Sequence, residues 1–403
     1  MPQWPNFDEE QIAAVAAVLR SGKVNAWTGP DVARFEAAYC AYTGAPHAIA
    51  LANGSVSLDC ALRALQLPPG GEVIVTPRSF IASASAVLLA GGVPVFADVD
   101  PDSQNITAAT IAPLITRRTC GILPVHLGGW PCGMKAIMDL ARAHGLWVIE
   151  DCAQAHGAMT GGRHVGTFGD FGSFSFCQDK IISTGGEGGM LITGDKRLWS
   201  RAWSYKDHGK DYAAVFNRTH PPGFRWLHNG PPGSNLRMAG PAAAIGRLQL
   251  ARLGEWRARR TANAQILALA LAPCSALRVP LPPQGVKHAY YRFYAFVRRE
   301  ALAPGWSRDR ILAELTAAGF PALSGSCAEI YREELFRRLG LGPARRLRNA
   351  RQLGETSLAF LTDPSWSLED MHRLAECVRR IAGQAAARQR PAAKTRAGKR
   401  RPE

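Results

Sequence analysis

The chain is short of several features that mark common classes of protein. It has no stretch of about eighteen uninterrupted apolar residues, which speaks against a helical membrane span. Its N-terminus, Met1-Pro-Gln-Trp-Pro5, has no basic region ahead of an apolar run, so a soluble, cytoplasmic protein is expected. The nine cysteines form no CxxC pair, and their odd number argues against a disulfide framework. No HExxH motif or clustered Cys/His spacing occurs, so no metal is expected, and no internal repeat points to a solenoid. Acidic residues are the scarcer charge, 32 against 48 Lys and Arg, for a formal net charge of +16.

Part of that excess lies in residues 384–403, which hold seven Lys/Arg and one acid. This Ala-, Arg-, Lys- and Pro-rich stretch has almost nothing to bury, so it reads as a disordered basic tail. It is either a solvated terminus or an arm for a membrane or nucleic acid; nucleic acid is not the expected partner of the protein. Basic surfaces also steer anionic small molecules.

The remaining 383 residues alternate strands and helices. Asp8 to Ser21 reads as an amphipathic helix with Ile12, Val15, Val18 and Leu19 on its apolar stripe. A helix begins near Ser55, and strands are expected at Glu72–Thr76, Val93–Ala97, Ile122–His126 and Leu146–Glu150. Helices over Ala82–Ala90 and Met134–His144 lie between them. Such alternation requires right-handed crossovers and gives an α/β fold with a mainly parallel sheet. A long helix is expected from about Leu250 to Leu271, leading into a smaller lobe, while Asp207 to Met238 reads as a long functional loop. The domain reading is 1–250, 251–383 and the tail.

In open α/β sheets ligands bind beyond the carboxyl ends of the strands. Asp151 stops an apolar strand there, either as a cap or salt-bridge partner or as the carboxylate that keeps a heterocyclic nitrogen protonated. Downstream, Gly172-Ser-Phe-Ser-Phe-Cys-Gln-Asp-Lys180 runs into a glycine-rich turn. Lys180 is either a solvated strand-end lysine or an amine placed to condense with an aldehyde cofactor. Ser175 can donate to a phosphate, and Asn53-Gly-Ser55 opens a helix whose dipole favours an anion.

Together these segments resemble the DegT/DnrJ/EryC1/StrS aminotransferases, which aminate keto sugars. The resemblance spans roughly residues 7–381. It is carried by Ser79-Phe80, Pro124-Val-His126, Glu150-Asp-Cys-Ala-Gln-Ala155, Ser175-Phe176, Lys180, Gly186-Glu-Gly-Gly189, His208-Gly209 and Gly233-Ser-Asn-Leu-Arg237. It implies the pyridoxal-phosphate fold type I, similar to aspartate aminotransferase. That fold has a large domain built on a mainly parallel seven-stranded sheet and a smaller α+β C-terminal domain.

The resemblance further implies pyridoxal 5'-phosphate held covalently by Lys180, with Asp151 on its ring nitrogen. Gln154 would face the phenolic oxygen and Phe80 would stack on the ring. Gly54, Ser55 and Ser175 would hold the phosphate, completed by Asn235 from the partner subunit of a homodimer with shared active sites. His126, Arg237, His288 and Tyr290, with Tyr291, are candidate substrate residues. The implied reaction is a ping-pong transfer from an amino acid, L-glutamate being the usual donor, to a nucleotide-linked 4-keto-6-deoxyhexose. A sugar dehydratase or lyase and a non-catalytic binding protein are the competing readings. Related dehydratases carry histidine where this chain has Lys180, which favours a transaminase. Two positions depart from the pattern: Cys177, often histidine, and Ala239-Gly-Pro-Ala242, which replaces a polar run.

Overall fold

Seven strands form the central sheet of the computed structural model, which describes residues 4–217 and 227–387. They are β1 (His47–Leu51), β2 (Glu72–Val75), β3 (Val93–Phe96), β4 (Thr119–Leu123), β5 (Trp147–Asp151), β6 (Phe171–Ser175) and β7 (Gly189–Thr193), in the spatial order β1-β7-β6-β5-β4-β2-β3. β2 to β6 are parallel, and β7 runs antiparallel to both β6 and β1. β2, β6 and β7 are buried along their whole length, as expected of strands covered on both faces.

A second sheet of four antiparallel strands, Leu277–Arg278, Phe293–Val297, Ser357–Phe360 and Ala322–Leu323, supports the C-terminal part. Its core is closed by the last helix, Leu368–Ala385, through Met371, Leu374, Val378 and Ile381. That helix includes Gln384 and Ala385 of the expected tail; residues 388–403 lie outside the described residues.

The helices α1 (Glu9–Ser21), α2 (Asp31–Thr43), α3 (Gly54–Ala64) and α4 (Ala82–Leu89) fall where the pattern put those it named. Asp8 caps α1 by accepting the Gln11 N–H, and Asn53 caps α3 by accepting that of Val56. The buried face of α1 differs from the expected stripe: Gln11 and Val18 are buried, whereas Ile12 and Leu19 are more than half exposed. Gln11 faces the long helix, where its Oε1 accepts from Gln249 at 3.5 Å, so a polar residue takes the inward position.

Three further differences have local causes. β4 ends at Leu123 rather than reaching His126, and Pro124, which has no N–H for the ladder, follows it. The long helix starts at Gly240, ten residues before Leu250, because Pro241 occupies its first turn, where no N–H is needed. The departing run Ala239–Ala242 is thus a helix start, with Gly240 buried so closely that a Cβ would stand 2.9 Å from the Val24 carbonyl oxygen. The expected loop 207–238 contains a short helix, Tyr212–Phe216, and its residues 218–226 lie outside the described residues. All nine cysteines are free.

Candidate functional site

The polar residues singled out from the sequence collect at one end of the central sheet. Asp151 closes β5 opposite Ser173 of the adjacent β6, and Ser175 closes β6 opposite Gly189 of β7. β1 ends beside Gly189 and leads straight into α3. The first turn of α3 meets the end of β6 at close range: a Cβ on Gly54 would stand 2.6 Å from that of Ser175. The N–H groups of Gly54 and Ser55 have no intrahelical acceptor, so with the Ser175 hydroxyl they form a cup of donors at a helix N-terminus, suited to a phosphate. His156 steadies this cup. Its Nε2 donates to the Ser175 carbonyl at 2.8 Å and its Nδ1 pairs with the Tyr39 hydroxyl at 3.1 Å, while burial lowers its pKa to about 4 and keeps the ring neutral.

Asp151 is buried. Its carboxylate accepts the Ser83 hydroxyl at 2.8 Å and the Ala153 N–H at 3.1 Å, neither of them a cation. Burial raises its pKa, and these two donors work the other way. A buried carboxylate without a contacting counter-ion suits a protonated heterocyclic nitrogen. Gln154 accepts the Gly128 N–H at 2.7 Å through its amide oxygen, which leaves its NH₂ group to donate.

A cavity of about 340 Å³ brings Lys180, Gln154 and Phe80 together with Ser79, Asp179 and Arg292. Phe80 is 68% exposed at its wall, so an aromatic face is open to a planar ligand. Lys180 Nζ lies 3.0 Å from Asp179 and 5.2 Å from the Tyr291 ring centre. The other Asp179 oxygen accepts the Tyr291 hydroxyl and lies 3.7 Å from the Arg292 guanidinium. Burial disfavours the ammonium of Lys180, but Tyr291 and Asp179 outweigh it and the amine's pKa is raised.

Several sequence candidates lie elsewhere. His126 is fully buried; its Nδ1 accepts the Cys132 N–H at 2.9 Å and its Nε2 faces Glu150 at 3.1 Å. Glu150 also accepts the N–H groups of Gly166, Phe168 and Gly169 at 2.7–2.8 Å. His126, Glu150 and Cys152 place ligand atoms within 4.8 Å of one another, but this saturation leaves the first two engaged in holding the 166–169 turn. His288 is buried against Trp130 and stacks on Tyr290 at 4.1 Å, with burial pressing its pKa to about 3. Arg237 is held by Asp207 at 2.7 Å, a carboxylate also 3.0 Å from Lys210. Asn235 is exposed on the strand-like segment that pairs with Asp207, and the next carbonyl, of Leu236, accepts the Ala52 N–H at 2.9 Å.

Four residues of the site were not singled out from sequence: Ser83, Asp179, Arg292 and His156. Adjacency to Lys180 was the only signal for Asp179. Arg292 stands in the bend just before the strand Phe293–Val297 of the second sheet, more than 100 positions away, and carries no local signal.

The model of the DegT/DnrJ/EryC1/StrS aminotransferase family matches residues 5–379. An aminotransferase from Psychrobacter cryohalolentis, known from an X-ray structure, is 48% identical, with a TM-score of 0.93 over 95% of this chain and 99% of its own. GDP-perosamine synthase from Caulobacter vibrioides is 38% identical over 72% of this chain and 75% of its own length. The UDP-N-acetyl-3-dehydro-alpha-D-glucosamine 3-aminotransferase from Acidithiobacillus ferrooxidans is 40% identical over 64% of this chain and 66% of its own.

Proposed function

The chain belongs to the DegT/DnrJ/EryC1/StrS aminotransferase family, and on that footing we propose that it moves an amino group from L-glutamate to a nucleotide-linked 4-keto-6-deoxyhexose by a ping-pong route. It is an aminotransferase dependent on pyridoxal 5'-phosphate, as its family is. The reading is supported above all by the meeting, at one sheet end, of an amine, a buried carboxylate with no contacting counter-ion and a cup of N–H donors. The nucleotide-sugar acceptor is supported by relatives whose names carry GDP and UDP sugars.

Gly54, Ser55 and Ser175 hold the phosphate, Asp151 holds the ring nitrogen in its protonated form, Gln154 donates to the phenolic oxygen, and Phe80 covers the ring. Bound there, the cofactor supplies an electrophilic carbon and a ring that accepts electrons. Lys180 would carry it through Nζ, and the same Nζ, when free, would serve as the base that takes the proton from the donor's α-carbon. Asp151 keeps the charge on which that proton loss depends, worth several kcal/mol in the transition state. Asn235 of the partner subunit completes the phosphate cup in a homodimer; its exposure in this chain supports that placement.

The test is an absorbance spectrum with and without L-glutamate, beside a Lys180→Ala variant, followed by incubation with GDP- or dTDP-linked 4-keto-6-deoxyhexose and mass analysis. A yellow protein bleached by glutamate, a variant without that band, and an aminated sugar are expected. A protein that stays colourless after pyridoxal phosphate is added refutes the site. One that bleaches but aminates only a 3-keto sugar refutes the acceptor.

A further inference from the structure

Among the described residues, the charged side chains that line the cavity of about 340 Å³ are Lys180, Asp179 and Arg292. Lys180 is committed to the cofactor and Asp179 repels an anion, so Arg292 is the cation left for a negatively charged group of a substrate. Arg237, which the sequence offers for that task, does not line the cavity, and its guanidinium is held by Asp207 at 2.7 Å.

Arg292 is fixed in place and yet unsaturated. Its Nη1 donates to the Tyr291 carbonyl at 3.0 Å, and its guanidinium carbon lies 4.1 Å from the centre of the Tyr291 ring. Its nearest carboxylate oxygen, on Asp179, is 3.7 Å from Nη2, beyond the reach of a hydrogen bond. A guanidinium has five N–H donors, and the bond to Tyr291 is the one that Arg292 makes among the described residues. Asp179 keeps the Tyr291 hydroxyl as a donor, so Arg292 can leave it without stranding the carboxylate.

We propose, on the reading above that an amino acid is the donor, that Arg292 is the subsite for a carboxylate of that donor. It exchanges its loose contact with Asp179 for a direct, charge-assisted pair, and its planar fork matches the two oxygens of a carboxylate. A nucleotide sugar is also an anion, but position separates the two. Lys180 and Arg292 face the same Asp179 carboxylate, so the cation stands close to the reacting amine. In an amino acid a carboxylate is bonded to the very carbon that carries the amine, whereas the diphosphate of a nucleotide-linked 4-keto sugar lies across the ring from the carbon to be aminated. The sugar therefore leaves the Asp179–Arg292 contact in place, and its hydroxyls can donate to Asp179, whose side chain is 50% exposed.

The test is calorimetric titration of the holoenzyme with glutarate, a dicarboxylate that has no amine to react, and separately with GDP. Three proteins are compared: the unaltered chain, Arg292→Gln and Asp179→Asn. Glutarate binding should weaken roughly 10- to 100-fold in Arg292→Gln and tighten roughly two- to fivefold in Asp179→Asn, which loses the competing charge. The L-glutamate concentration that half-saturates bleaching should shift in the same two directions, while GDP binding stays unchanged in both variants. Asp179→Asn carries the test by itself if Arg292→Gln does not fold. Absence of glutarate binding to the unaltered chain overturns the subsite, as does glutarate binding that neither variant alters. GDP binding weakened as much as glutarate binding in Arg292→Gln overturns it in favour of the diphosphate. Glutarate binding that depends on Arg292, in a protein that glutamate does not bleach, supports the subsite and refutes glutamate as the donor.

Discussion

Substituting Gly54 by alanine sets two physical effects against each other. Gly54 is the first residue of α3, and helix propensity favours alanine over glycine by up to about 1 kcal/mol. The added Cβ, however, would stand 2.6 Å from Ser175 Cβ, 3.0 Å from its Oγ and 3.2 Å from its Cα. Non-bonded carbons settle at about 3.5–4.0 Å, so one side has to retreat by roughly 1 Å. Ser175 is tied to Gly189 across the sheet and to His156 through its carbonyl, so α3 moves and takes the Gly54 and Ser55 amides with it. A displacement of about 1 Å in a positioned group lowers its effect by on the order of 100-fold. At about 1.4 kcal/mol per tenfold, cofactor binding should weaken by about 3 kcal/mol. The assay is titration of cofactor-free Gly54→Ala with pyridoxal phosphate, followed by absorbance. Gly254→Ala is the control, since that glycine lies exposed within the long helix with nothing within 4 Å of an added Cβ. It should bind normally and gain roughly 0.5–1 kcal/mol of stability. Wild-type affinity in Gly54→Ala would refute both the steric reasoning and the placement of the phosphate.

Ser83→Ala removes a donor that lowers the pKa of Asp151. The carboxylate then protonates at higher pH, and the acid limb of the pH–rate profile should move upward; an unmoved limb would mean that Asp151 does not govern it. Glu150→Gln turns an acceptor of four N–H donors into a group that is itself part donor, so urea denaturation should show a loss of about 3 kcal/mol or more. His156 and His288 are held neutral, with pKa values near 4 and 3, whereas an unfolded histidine titrates near 6.5. The unfolded state therefore takes up protons first. The stability these groups provide is complete above about pH 6.5 and is lost as pH falls toward 4 and 3, on the order of 3 kcal/mol for His156 and about 5 kcal/mol for His288. Denaturation midpoints measured from pH 7 to 4 should decline accordingly, and less steeply in a His288→Gln variant.

The parts legible in the sequence are those whose reason is local. Asp151, Lys180 and the Asn53-Gly-Ser55 helix start stand where a strand stops or a helix begins, and apolar periodicity marks those places. The rest depended on contacts between distant segments. Arg292 reaches Asp179 from the bend before the strand Phe293–Val297, and Ser83 reaches Asp151 from a run of small residues that shows no polar signal. The ten-residue earlier start of the long helix belongs with these, since Gly240 opens it packed against the distant Val24 carbonyl. The inward face of α1 was misread because alanine dilutes its stripe and Gln249 offers Gln11 a buried partner.

The helix Gly240–Leu271 runs unbroken for 32 residues, packing on α1 and α2 along one stretch and on the helix Leu368–Ala385 along another. Its continuity limits how this chain can vary over generations. One inserted or deleted residue in its interior would turn everything beyond by roughly 100° and shift it by about 1.5 Å, swinging Arg260, whose Nη1 lies 3.5 Å from the Tyr290 carbonyl, off its partner. Length changes among descendants of this sequence should therefore fall outside that helix, with point substitution the only free currency within it.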